Sequence, residues 1–157
     1  MQRDVSRWLK NYPRVQGIFF DEMVYEDTEA GAKYQSALNH LAHDAGFWPT
    51  VANPGADTPS RYFAVSAADV IVVHEGNAWP KEERLKGDYF GGYSDYPPFT
   101  RGVLVHSQPQ LDRSALRMVR KYARWYTSPK PCSDLETPWP RTHGIGYQSI
   151  SRKSAKN

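Results

Sequence analysis

The chain has 157 residues, with Lys+Arg 20 against Asp+Glu 17, a formal net charge of +3, and 39% hydrophobic and 24% charged residues. This length carries one domain with its own core, the balance excludes a disordered chain, and so small a charge permits an acidic partner without demanding one. The single Cys132 excludes an internal disulfide, and no apolar run approaches the roughly 20 residues of a membrane span.

Arg3, Asp4, Arg7 and Lys10 make the first ten residues unlike a secretory leader. Asp4 to Asn11 reads as a short helix with Val5, Trp8 and Leu9 on one face, ended by Tyr12 and Pro13. The stretch that follows, Gly17-Ile18-Phe19-Phe20-Asp21-Glu22, runs from a glycine through three large apolar residues into two carboxylates. An apolar run without alternation suits a parallel strand buried on both faces. Two charges cannot lie inside that layer unpaired, so Asp21 and Glu22 mark the strand's C-terminal mouth or cap the next helix. Asp27 or Thr28 supplies the N-cap of a helix to about Ala45, with Tyr34, Ala37, Leu38 and Leu41 as its apolar stripe. His40 and His43, in its last turns, read as surface residues rather than metal ligands.

Thr50 to Ala52 is a second strand, stopped by Asn53-Pro54-Gly55. Arg61 to Ala68 reads as a compact helix, and Val70 to Val73 as a third strand that delivers His74 and Glu75. The segment Asn77 to Arg101 has little periodicity but many glycines and aromatics, which suits an ordered lid offering Tyr89, Tyr93 or Tyr96 to a flat ligand. Gly102 to Val105 is the fourth strand, with His106 at its mouth. Asp112 or Ser114 then caps a helix to about Tyr126. Its outer face carries Arg113, Arg117, Arg120 and Arg124 at helical spacing. Such a stripe can meet phosphate, yet a solvated face explains it too and no nucleic-acid motif accompanies it. After residue 127 prolines dominate, so the expected division is a domain over 1–127 and an irregular, disordered tail over 128–157.

Four strands alternating with helices, each ending in polar groups, make a parallel α/β arrangement, about half of a (β/α) TIM barrel. The mouths bring together Asp21 and Glu22, Asn53, His74 and Glu75, and His106.

Three motifs in order, Gly17-Ile18-Phe19-Phe20-Asp21-Glu22, Val51-Ala52-Asn53-Pro54-Gly55 and Ala68-Asp69-Val70-Ile71-Val72-Val73-His74-Glu75, are similar to those of the spherulation-specific family 4 (spherulin 4-like) proteins. The likeness spans roughly Trp8 to Arg120. It implies a TIM-barrel glycoside hydrolase domain acting on galactosamine-containing polysaccharide, with Asp21, Glu22 and Glu75 as active-site acids. Asn53, His74, His106, Tyr89 and Tyr93 become the candidate substrate contacts. Glycosidic cleavage needs one carboxylic acid and one carboxylate, here Glu75 with Asp21 or Glu22. No metal, cofactor, nucleic acid or membrane is expected, and the family's usual placement is secreted or at the cell surface.

The family's first three strands have no counterpart, so a truncated chain is expected, with Trp125-Tyr126-Thr127 as a remnant of the last strand. The alternative is a non-catalytic half-barrel with an open apolar interior, binding carbohydrate or self-associating through its exposed sheet edges.

Overall fold

The computed structural model of the protein describes residues 2–86, 95–108 and 110–127. Five strands form one parallel sheet in sequence order: β1 (Ile18–Asp21), β2 (Thr50–Asn53), β3 (Val70–Gly76), β4 (Arg101–Val105) and β5 (Trp125–Tyr126). The four expected strands are neighbours in the expected order, and Trp125-Tyr126 adds a fifth on β4. The Pro-rich stretch 128–157 lies outside the described residues, as do Tyr89 and Tyr93.

Side-chain alternation splits the sheet into two faces. Ile18, Phe20, Ala52, Ile71, Val73, Val103 and Val105 turn to one face and join a core with Ala32, Leu38, Ala42 and Val119 of the helices. Each of the larger ones contributes roughly 1.5–3 kcal/mol by leaving water. Phe19 and Asp21 of β1 and Val51 and Asn53 of β2 turn to the other face, which in a closed barrel is the interior. The centre of that face is not open: Val70 and Val72 are 1% and 2% exposed. Gly102 lies against them, a Cβ there standing 3.3 Å from Val70 Cγ1.

The helices are α1 (Gln2–Asn11), α2 (Glu29–Asp44), α3 (Arg61–Ala64), α4 (Glu82–Leu85) and α5 (Arg113–Tyr122). Thr28 caps α2, its hydroxyl accepting from Gly31 N, and Asp112 caps α5 through Ser114 N and Ala115 N. Asp21 and Glu22 are therefore not helix caps.

Three expectations are corrected. The buried stripe of α2 is Ala32, Gln35, Leu38, Asn39 and Ala42, with Tyr34 39% exposed, because the helix packs a polar seam against the start of β2. The compact helix at Arg61 stops at Ala64, since Ser66 takes a positive φ of 51° and turns the chain into β3. The segment before β4 is held by Arg101, which is 3% exposed and donates to Leu85 O and Tyr96 O. Tyr96 stacks on Phe63 with ring centroids 5.4 Å apart, so it packs into the helix-side core at the start of β4 rather than over the strand mouths.

Candidate functional site

At the C-terminal ends of β1, β2 and β3 three polar side chains meet. Asn53 is 4% exposed, and its Nδ2 donates to Asp21 Oδ1 at 3.0 Å and to Glu75 Oε2 at 2.7 Å. An amide nitrogen has two hydrogens about 120° apart, so ideal geometry would set the two accepting oxygens on the order of 5 Å from each other. The remaining atoms of Asn53 are also fixed. Its Oδ1 accepts from Gly55 N at 3.1 Å, and its backbone carbonyl accepts from Met23 N at 2.9 Å. Gly55 has a φ of +66°, which lets the Asn53-Pro54-Gly55 turn close back on the asparagine side chain.

Glu75 reaches this face because β3 is irregular. Counting alternate residues from Val70 and Val72 would place His74 on the Asn53 face and Glu75 on the helix face. The pairing with β4 instead jumps from Val72↔Gly102 to His74↔Val103, leaving Val73 as an extra residue. A bulge of this kind reverses the facing of everything beyond it. Glu75 then pairs with Leu104, and His74 with Val103, a fully buried residue of the helix-side core. His74 Nε2 lies 2.9 Å from Ala78 O, and burial pushes its pKa down, outweighing that backbone contact, which raises it. His74 is thus not brought to Asp21, Asn53 and Glu75.

The two members of the Asp21-Glu22 pair separate. Asp21 is half-buried, and its Oδ1 also accepts from Glu22 N at 3.1 Å. Glu22 takes a φ of 54°, an uncommon conformation for a non-glycine residue, and its exposed carboxylate has no hydrogen bond or ion pair among the described residues. Ser107, one residue past the β4 mouth, is likewise left-handed at φ 58°. It meets His106 Nδ1 through its hydroxyl at 3.1 Å. His106 follows Leu104 in alternation and so shares the face of Glu75, with its backbone N–H on Gly76 O at 2.9 Å. Gln108 ties this loop to the one after β3 by donating to Asn77 O.

Two features of the neighbourhood had no clear sequence signal. The β3 bulge is visible only in the pairing. Asp57, on the loop after β2, is a 6% exposed carboxylate whose Oδ1 accepts from Thr58 N.

Residues 1–145 match the model of the family described as spherulation-specific family 4. Spherulin-4 of Physarum polycephalum is 30% identical over 86 residues, which are 55% of this chain and 24% of that protein. The crystal structure of Aspergillus clavatus Sph3 in complex with GalNAc superposes with a TM-score of 0.61 at 29% identity, covering 80% of this chain and 55% of that one. The chain thus spans about half or less of the length of these relatives. Among the described residues no helix is long and apolar enough to cross a membrane. With its family model matched along nearly the whole sequence, the chain belongs to spherulation-specific family 4.

Proposed function

We propose that the chain is a glycoside hydrolase domain for galactosamine-containing polysaccharide, with Asp21 and Glu75 as its two carboxylates. The observation that carries this reading is the Asn53 amide donating to both at once. Two carboxyl groups whose inner oxygens share one amide, on the order of 5 Å apart by ideal amide geometry, favour the closer spacing of retaining glycosidases over the wider one of inverting enzymes. Glu75, the more exposed of the two, protonates the leaving oxygen. Asp21, oriented by two N–H donors on one oxygen, attacks the anomeric carbon with the other. Water then cleaves the glycosyl–enzyme bond with Glu75 as base. His106 sits on the same face, suited to a sugar hydroxyl, and Glu22 lies outside the bridged pair. The likeness to a protein solved with GalNAc supports an amino sugar as ligand.

Among the described residues the sheet has five strands, and the chain covers 55% of that relative, which favours a second reading in which the domain binds sugar without cleaving it. Release of reducing ends from galactosamine-containing polymer by the purified chain separates the two. Turnover that falls about 10²-fold or more in both Glu75→Gln and Asp21→Asn supports the hydrolase. Turnover indifferent to both substitutions refutes the assignment, and sugar binding without turnover establishes the second reading.

A further inference from the structure

Among the described residues, non-glycine residues with a positive φ stand directly after two of the site's side chains: Glu22 at 54° behind Asp21, and Ser107 at 58° behind His106. Each engages the side chain before it. The Glu22 N–H donates to Asp21 Oδ1 at 3.1 Å, and the Ser107 hydroxyl lies 3.1 Å from His106 Nδ1. Glycine or asparagine adopts this backbone with less strain than serine does. Such strain persists where the surroundings enforce it, and it gathers at ligand-binding sites. The surroundings of Ser107 do enforce it. His106 N donates to Gly76 O at 2.9 Å on one side, and Gln108 donates to Asn77 O on the other. The loop after β4 is thereby tied to the loop after β3, and the exposed His106 ring is held through Nδ1.

Both hydrogens of the Asn53 amide are engaged by Asp21 and Glu75, and the proton of Glu75 is committed to the leaving oxygen. The bridged trio thus offers no donor to the other oxygens of a sugar. His106 shares the Glu75 face and lies two residues beyond Leu104, the partner of Glu75, so about 7 Å further along the strand direction. One sugar residue can bridge that separation. A neutral imidazole has one N–H, and the nitrogen that carries it is set by the bond the other nitrogen makes. The geometry points to Ser107 as a positioning residue: its hydroxyl donates to His106 Nδ1, so the ring carries its proton on Nε2 and donates it to a sugar oxygen. This role rests on sugar occupying the Asp21–Asn53–Glu75 site, and adds to that reading the tautomer of His106 and the direction of its bond.

The test combines two measurements on the full chain. Ring ¹⁵N resonances of His106, recorded without sugar at about pH 8 where an ordinary imidazole is neutral, report which nitrogen is protonated. Titration with a galactosamine-containing oligosaccharide reports affinity for the parent, Ser107→Gly, His106→Ala and the double variant. Expected is a proton on Nε2 in the parent. Ser107→Gly, which relieves the backbone but removes the hydroxyl, should weaken binding about fivefold or more while the melting temperature stays equal or rises. In the His106→Ala background the same substitution should change affinity less than twofold, since Ser107 acts through the ring. A proton on Nδ1, a less than twofold effect of Ser107→Gly in the parent, an undiminished effect without His106, or a lower melting temperature overturns the inference. Absence of saturable binding by a parent with the expected tautomer refutes the sugar site itself, and the role of Ser107 falls with it.

Discussion

The sheet has a polar cluster at each end, and they differ in what they leave unsatisfied. At the N-terminal end, where β2 and β3 begin, Asp69 Oδ2 accepts from Thr50 N at 2.7 Å and faces Thr50 Oγ1 at 3.0 Å and His43 Nε2 at 2.8 Å. The Thr50 hydroxyl also donates to Asn39 Oδ1 and accepts from Asp69 N, while Asn39 Nδ2 donates to Ser66 O. Both Thr50 and Asn39 are buried, and each polar group points back into the protein. At the C-terminal end Asn53 is equally buried and equally satisfied, but the carboxylates it holds are not closed in. Asp21 Oδ2 and Glu75 Oε1 make no hydrogen bond among the described residues, and neither residue has an ion pair there. An asparagine thus plays opposite parts at the two ends. Asn39 consumes donors and acceptors to join α2 to the sheet, whereas Asn53 spends its amide on aiming two carboxylates outward. That is the division expected of a parallel α/β sheet, with stability at one edge and chemistry at the other.

The sharpest way to break this comparison is to truncate the two asparagines. Asn53→Ala should lower sugar cleavage or sugar affinity by roughly ten- to a hundredfold, because the carboxylates lose their common donor and their spacing. Its cost in stability should be small, since the freed carboxylates can turn to water. Asn39→Ala should do the reverse, costing about 1–3 kcal/mol in denaturant unfolding through loss of the buried amide's bonds to the Thr50 hydroxyl and the Ser66 carbonyl, with sugar binding unchanged. Equal functional losses in both variants would erase the distinction.

Gly17→Ala probes how tightly the stability edge is fitted. A Cβ at this position would stand 2.5 Å from Pro49 O, a backbone atom that itself accepts from Ile18 N. Separation of β1 from β2 at their start should cost about 1–3 kcal/mol, read as a fall in melting temperature. A variant as stable as the parent would show that this edge yields.

The smallest effect concerns His74, which the bulge sends to the helix side. Burial lowers its folded pKa below the ordinary value of 6.5, so below that pH the unfolded chain binds more protons than the folded one. The contribution of the neutral ring is complete above pH 6.5 and is lost as pH falls through the folded pKa. His74→Gln should flatten this acid limb of the melting temperature against pH while leaving sugar binding intact. A steeper limb would contradict the sign.

The strands were legible because β-branched and aromatic runs such as Ile18-Phe19-Phe20 and Val70-Ile71-Val72-Val73 have few alternative uses, and a parallel sheet buries them on both faces. Asp21, Asn53 and Glu75 could be named because polar residues directly after such runs must lie at the mouths. Their facing was not legible. Alternation counted along β3 gives the wrong side for both Glu75 and His74, and only the pairing with β4 reveals the extra Val73. The buried face of α2 was misread for a related reason. Gln35 and Asn39 are polar in sequence but buried in the fold, and the hydrogen bonds that permit this at Asn39 come from Thr50 and Ser66, eleven and twenty-seven residues away. Tyr96 belongs to an aromatic segment whose composition suits a lid, yet its direction is set by Phe63 and Arg101 from other elements.

The contrast between Asn53 and Asn39 also supplies the most direct test of where sugar is recognised. The side-chain amide resonances of both can be followed by NMR while the chain is titrated with a galactosamine-containing oligosaccharide, whether or not cleavage occurs. The Asn53 Nδ2 resonances should move with saturation, as ligand engages the carboxylates they bond, while those of Asn39 stay in place. Movement at Asn39 with Asn53 unchanged would contradict that placement of the sugar site.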